Sequence, residues 1–187
     1  AGAVSLTGGP GAVRHVDAVR AAGTRVQYAL EPNRQITGRG RNRIDLQSER
    51  IAAAASGVRN LLVLRGDDPS AGDQPDAKAV FDLDARGLLE TARNLRDTGE
   101  LPTGRKVSGK AEFFLGGADS PIDPPPGWEP KGLARQIEAG AQFVQTQFCM
   151  DAVGVPRSPA RRAEPALAGT LYFPIGLAPL PPATPPH

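Results

Sequence analysis

The sequence predicts an α/β protein built around a parallel sheet, and three observations predict it. Short apolar runs alternate with helical patterns along the whole chain, the spacing of successive βαβ units. The run Leu61-Leu-Val-Leu64 is apolar without alternation, as in a strand covered on both faces. The segment from Glu129 to Asp151 places a helix, a tight glycine turn and a buried strand in one reading frame.

Taken in order, strands are expected at residues 4–7, 33–37, 60–65, 111–116, 142–147 and 170–176, about six in all. Between them, residues 42–56 read as a helix through their alanine run. Asp84 can cap a second helix that carries Leu88, Leu89, Ala92 and Leu95 on one face. Two regions break the pattern. Residues 121–130 hold five prolines around Trp128, which suits a rigid extended loop covering something. Residues 152–169 should cross back over the sheet, yet Pro156, Pro159 and Pro165 would each cost roughly 3 kcal/mol in a helix interior, so a broken helix is expected there. Residues 179–187 read as a polyproline tail after a domain spanning 1–178.

Composition narrows the function classes. A chain of 187 residues suits one sizeable domain. Its 22 Lys and Arg against 20 Asp and Glu leave a net charge of +2, with no basic stripe of the kind a nucleic-acid partner needs. Apolar runs fall short of the roughly 18 residues of a membrane span, and the first residues lack a signal-peptide layout, so a cytoplasmic location is the default expectation. One cysteine, Cys149, excludes an internal disulfide framework, and two histidines without a CxxC motif offer no recognisable zinc site.

Chemistry is expected at the carboxyl ends of the strands, where parallel α/β folds place it. In Leu61-Leu-Val-Leu-Arg-Gly-Asp67 the apolar run ends in Arg65, Gly66 and Asp67, which should emerge at that edge. Asp-Asp-Pro is also ordinary turn chemistry, and both readings stand on these residues alone. Gln147 falls at the end of the strand at 142–147, where Gln-Thr-Gln can either meet a ligand or simply decorate the edge. Three arginines at the start of the helix at 42–56 fit a solvated face as well as a binding one.

Residues 61–69 and 129–151 together resemble the flavin-dependent methylenetetrahydrofolate reductase family, and the likeness runs over most of residues 3–151. It implies a (β/α)8 TIM barrel, FAD as cofactor and NAD(P)H as co-substrate, with reduction of 5,10-methylenetetrahydrofolate to 5-methyltetrahydrofolate. It implies that Asp67 tunes the flavin and stabilises the cationic iminium form of the folate, because a carboxylate helps most where positive charge develops. Gln147 would hold the pterin edge through paired donor and acceptor bonds. Thr7, Arg65, Gly66, Gly116, Gly117 and Ala118 would lie against the flavin, small residues permitting close approach. Glu129 and Arg135 would bind the ribose and phosphates of the nucleotide, with Gln136 standing where the family often has lysine. Residues 35–48 resemble the family's third strand and the following helix start, with Arg41 and Asn42 matched and Gln35, Gly38 and Gly40 replacing histidine, cysteine and aspartate.

The family also carries a glutamate at the end of its first strand, in a Phe-Glu-Phe-Phe type of segment, and none precedes Ala3. The expectation is therefore a barrel incomplete as given, covering strands two to seven. It would be completed by a homo-oligomeric partner or another chain segment, and would turn over methylenetetrahydrofolate slowly as it stands. Two alternatives are a non-catalytic flavin- or folate-binding subunit of one-carbon metabolism, and an open flavodoxin-like sheet with an unrelated ligand.

Overall fold

The computed structural model describes residues 3–6, 31–109, 111–120, 129–147 and 171–175. The strands β1 (Ala3–Leu6), β2 (Glu31–Thr37), β3 (Asn60–Leu64), β4 (Phe114–Asp119) and β5 (Phe143–Thr146) form one sheet in chain order. Every neighbouring pair is parallel. All strands therefore end at the same edge. Three helices are described: α1 (Arg43–Ala55), α2 (Ala85–Asp97) and α3 (Lys131–Glu138).

Local chemistry sets the helix ends. Asn42 caps α1 by accepting from the backbone N–H groups of Ile44 and Asp45, each at 3.0 Å, and Asp84 caps α2 by accepting from Gly87 N at 2.8 Å. Gly140, at φ +110°, closes α3 and turns the chain into β5, where a non-glycine would be strained. A Cβ there would also lie 2.8 Å from Arg93 Cδ, while Arg93 Nη1 donates to the last-turn carbonyl of Glu138 at 2.6 Å, tying α2 to α3.

The main core lies between one face of the sheet and the helices. Ile36, Leu61, Val63 and Leu115 meet Leu46 and Ala53 of α1 and Leu88, Leu89, Ala92 and Leu95 of α2. At roughly 1.5–3 kcal/mol for each large apolar side chain, this layer is the main source of stability among the described residues. A smaller cluster joins Leu133 of α3 and Val144 of β5 to Leu171 and Phe173. Arg34 of β2 shares the helix side and pairs with Glu49 of α1, which also takes Arg41 Nη1 at 2.9 Å. Arg50 is fully buried nearby, and desolvation first, then the charges of Arg34 and Arg41, lower its pKa to about 10.

The opposite face is concave. Asn33 Nδ2 of β2 donates to Gln145 Oε1 of β5 at 3.2 Å, although β3 and β4 separate their strands. In a flat sheet those strands would stand roughly 14 Å apart, three inter-strand spacings, so the sheet must curl towards this face. The register agrees. Asn33 aligns with Asn60 and Phe114, and Gly116 with Phe143, so the ladder partner of Asn33 on β5 is residue 141, four positions before Gln145. Strands tilted to a common axis produce that stagger.

Two expectations need correction. The strand expected at 111–116 runs instead over Phe114–Asp119. Ala111 and Phe113 are buried in the core, but as an extended lead-in, and Gly116 and Gly117 lie inside the strand rather than at and beyond its end. The sixth run, expected at 170–176, is not a regular strand. Tyr172 N donates to Gln142 O at 3.1 Å, Val144 N to Tyr172 O at 2.8 Å and Thr146 N to Pro174 O at 3.1 Å, so residues 171–175 follow β5 in parallel. Pro174 has no N–H to donate, which weakens this edge of the ladder. The broken helix at 152–169, the proline loop with Trp128 and the tail at 179–187 lie outside the described residues.

Candidate functional site

Several polar side chains of the described residues emerge at the carboxyl edge of the sheet. After β3 the chain turns at Gly66, whose φ of +84° favours glycine and whose Cβ, if present, would lie 3.2 Å from Thr37 Cβ and 3.3 Å from Arg39 Cβ. That turn places Arg65 and Asp67, both exposed, at the edge.

The two adjacent aspartates have different work. Asp68 Oδ1 accepts from the Ser70 hydroxyl at 2.7 Å and from Ser70 N at 3.0 Å, capping the short turn Pro69–Ala71. The Ser70 hydroxyl first, then its N–H, hold the Asp68 carboxyl below its usual range. Asp67 has no hydrogen-bond or ion-pair partner among the described residues. Turn chemistry thus consumes Asp68 and leaves the Asp67 carboxylate available.

Gln147 follows β5 directly. Its N–H donates to Asp119 O at 3.0 Å, and its exposed amide side chain is unpaired among the described residues. Ala118 lies near the end of β4, and its carbonyl accepts from Gln136 Nε2 of α3 at 3.2 Å. Gln136, which stands where the resemblance often has lysine, is therefore half-buried against the sheet.

The two glycines of β4 face opposite ways. Gly117 faces α3, where a Cβ would overlap the Gln136 amide. Gly116 is on the concave side and makes room for the ring of Phe143, which stacks on Phe114 at 5.2 Å between centroids. Each has a packing reason to be glycine. Glu129 pairs with Lys131 at 3.1 Å on the surface, and Arg135 is exposed on α3. Thr7 lies outside the described residues.

The arginine-rich start of α1 is structural rather than loosely solvated. Arg41 reaches Glu49, Asn42 caps the helix, and Arg43 grips Asp82 from the loop before α2. The fork comprises Nη2 to Oδ1 at 2.7 Å and Nε to Oδ2 at 3.0 Å, and Arg43 N donates to Oδ2 at 2.8 Å. These side-chain bonds, then the backbone bond, lower the Asp82 pKa from 3.8 to about 2. A depressed carboxylate stabilises the fold above its unfolded pKa, and that contribution is lost as pH falls through about 2. A carbon-13 titration of the Asp82 carboxyl is expected to show its midpoint near 2, moving back towards 3.8 in Arg43→Met. A midpoint near 3.8 in the parent chain would mean that the fork does not form.

Sequence reasoning missed Phe81. Its ring lies under Arg65, with the guanidinium carbon 4.6 Å from the ring centroid. Sixteen positions separate the pair, and no periodicity or motif signals it.

No described helix is long and apolar enough to cross a membrane. No curated protein matches the chain. The family model described as methylenetetrahydrofolate reductase matches residues 2–154, a span that holds the whole five-stranded parallel sheet and both of its polar strand ends, after β3 and β5. With most of its length matched, the chain belongs to the methylenetetrahydrofolate reductase family of oxidoreductases.

Proposed function

We propose that the protein reduces 5,10-methylenetetrahydrofolate to 5-methyltetrahydrofolate with NAD(P)H through bound FAD, on a (β/α)8 barrel. The observation that carries this reading is the division between the neighbouring aspartates. A structural turn needs one carboxylate and has it in Asp68, so Asp67 is left exposed and unpaired among the described residues at a strand end. Family membership supports reading a catalytic role at that position. The curl that brings Asn33 to Gln145 supports the barrel, since only a strongly curved sheet lets those side chains meet.

The residues present suit the cofactor. Arg65 offers guanidinium donors, Gly66 brings the backbone close at the turn, and Ala118 adds no bulk at the end of β4. Thr7, Gly116, Gly117, Glu129 and Arg135 complete the proposed contacts, with Gly116 and Gly117 offering backbone only. Bound flavin would supply hydride acceptance and donation between nicotinamide and folate.

The chain's own part is binding and electrostatics. Gln147 presents one donor group and one acceptor to a pterin edge, and Asp67 stabilises the positive charge that the folate develops before reduction. One domain over residues 1–178 would hold this site, completed by a second copy or by another chain segment.

The test of the cofactor assignment is a fluorescence titration of the purified chain with FAD, alongside its visible absorbance. Bound flavin, or saturable uptake of added FAD, is expected. A colourless protein that takes up none would overturn the assignment.

A further inference from the structure

The segment before α2 is held in an unfavourable backbone conformation. Phe81 has φ +44°, and it is the one non-glycine residue at positive φ among those described. A bulky side chain rarely adopts this region, so the surroundings must impose it. Phe81 N donates to Gly38 O at 3.2 Å and Val80 N to Arg39 O at 2.7 Å, fastening the segment to the chain just after β2. Gly38 permits the approach, since a Cβ there would lie 2.6 Å from Leu83 O. One residue on, Asp82 is locked in the Arg43 fork.

What this clamp fixes is the ring under Arg65, 4.6 Å from the guanidinium carbon. A guanidinium laid on an aromatic face is held without using its N–H groups, and all five donors remain around its edge. Arg65 makes no ion pair with a described carboxylate, although Asp67 and Asp68 lie close to it in sequence. Its charge helps hold the Asp68 carboxyl low, but among the described residues its N–H donors are unspent.

We propose that Phe81 is a positioning residue. Its ring, clamped against the end of β2, orients Arg65 as a ready donor edge for an acceptor oxygen of the bound flavin. This rests on the flavin reading above, and the test separates the two. In the full chain without ligand, the Arg65 Nε–H resonance is assigned by its loss in Arg65→Lys, and its nitrogen-15 relaxation is compared across three variants. Phe81→Leu removes the ring, Phe81→Gly removes it while suiting the positive φ, and Phe81→Trp keeps an aromatic face.

Arg65 is expected to be ordered in the parent and in Phe81→Trp, and as mobile as the exposed Arg105, whose side chain has no partner among the described residues, in the other two. In FAD titrations, Phe81→Leu and Phe81→Gly are expected to weaken binding on the order of 10-fold, with Phe81→Trp near the parent. An Arg65 that stays ordered without the ring overturns the positioning role, whatever happens with flavin. Unchanged FAD affinity in Phe81→Leu and Phe81→Gly overturns its link to the ligand. A parent chain that binds no flavin, while Arg65 still depends on Phe81, overturns the cofactor reading and leaves the clamp standing.

Discussion

Replacing Asp67 by asparagine is expected to slow hydride delivery to the folate by on the order of 10²-fold or more, while reduction of bound FAD by NAD(P)H changes by less than about 10-fold. The amide preserves size and removes only charge. Positive charge develops on the folate before hydride arrives, so the carboxylate matters most in that half-reaction. Stability should be unaffected to within about 0.5 kcal/mol, because Asp67 is exposed and has no partner among the described residues. Asp68→Asn is the control: its side-chain oxygen can still accept from Ser70, so both half-reactions should stay near the parent. Anaerobic stopped-flow measurements of the two half-reactions read this directly. Equal slowing of both would make Asp67 structural, and no effect on either would remove it from the site.

The framework of the fold was legible because its signals are local. Asp84 sits one residue before its helix and bonds within it, so that cap can be read from a few neighbouring letters, whereas Asn42, expected inside its helix, proves to be the cap. The run 61–64 and the frame from helix through Gly140 to β5 are likewise contiguous. Arg65, Gly66, Asp67 and Gln147 reach the strand ends for the same reason, as a strand's end fixes where the next residue emerges. Phe81 and Asp82 could not be found that way, since their partners lie in other elements and their backbone geometry depends on Gly38. The displacement of β4 has a similar origin. Paired glycines ordinarily end a strand, and only Phe143 on one face and Gln136 on the other explain why Gly116 and Gly117 continue it.

That explanation yields the second large effect. Gly116→Ala should destabilise the fold by about 1–3 kcal/mol or more, because the added methyl overlaps the Phe143 ring in a packed layer. Phe143 has little freedom to yield, being 4% exposed and stacked on Phe114 at 5.2 Å. For a chain of this size each kcal/mol lowers the thermal midpoint by roughly 2–4 °C, which calorimetry resolves. Pairing Gly116→Ala with Phe143→Leu should recover part of the loss, since the smaller side chain leaves space for the methyl, and the two changes should be clearly non-additive. The same variants separate packing from ligand contact at this position. If Gly116 is glycine chiefly to admit flavin, Gly116→Ala will keep its thermal midpoint and lose FAD affinity, and Phe143→Leu will not restore that affinity. A midpoint that falls, and rises again with Phe143→Leu, assigns the glycine to the interior of the curved sheet and leaves the ligand edge to Arg65, Gly66, Asp67 and Gln147.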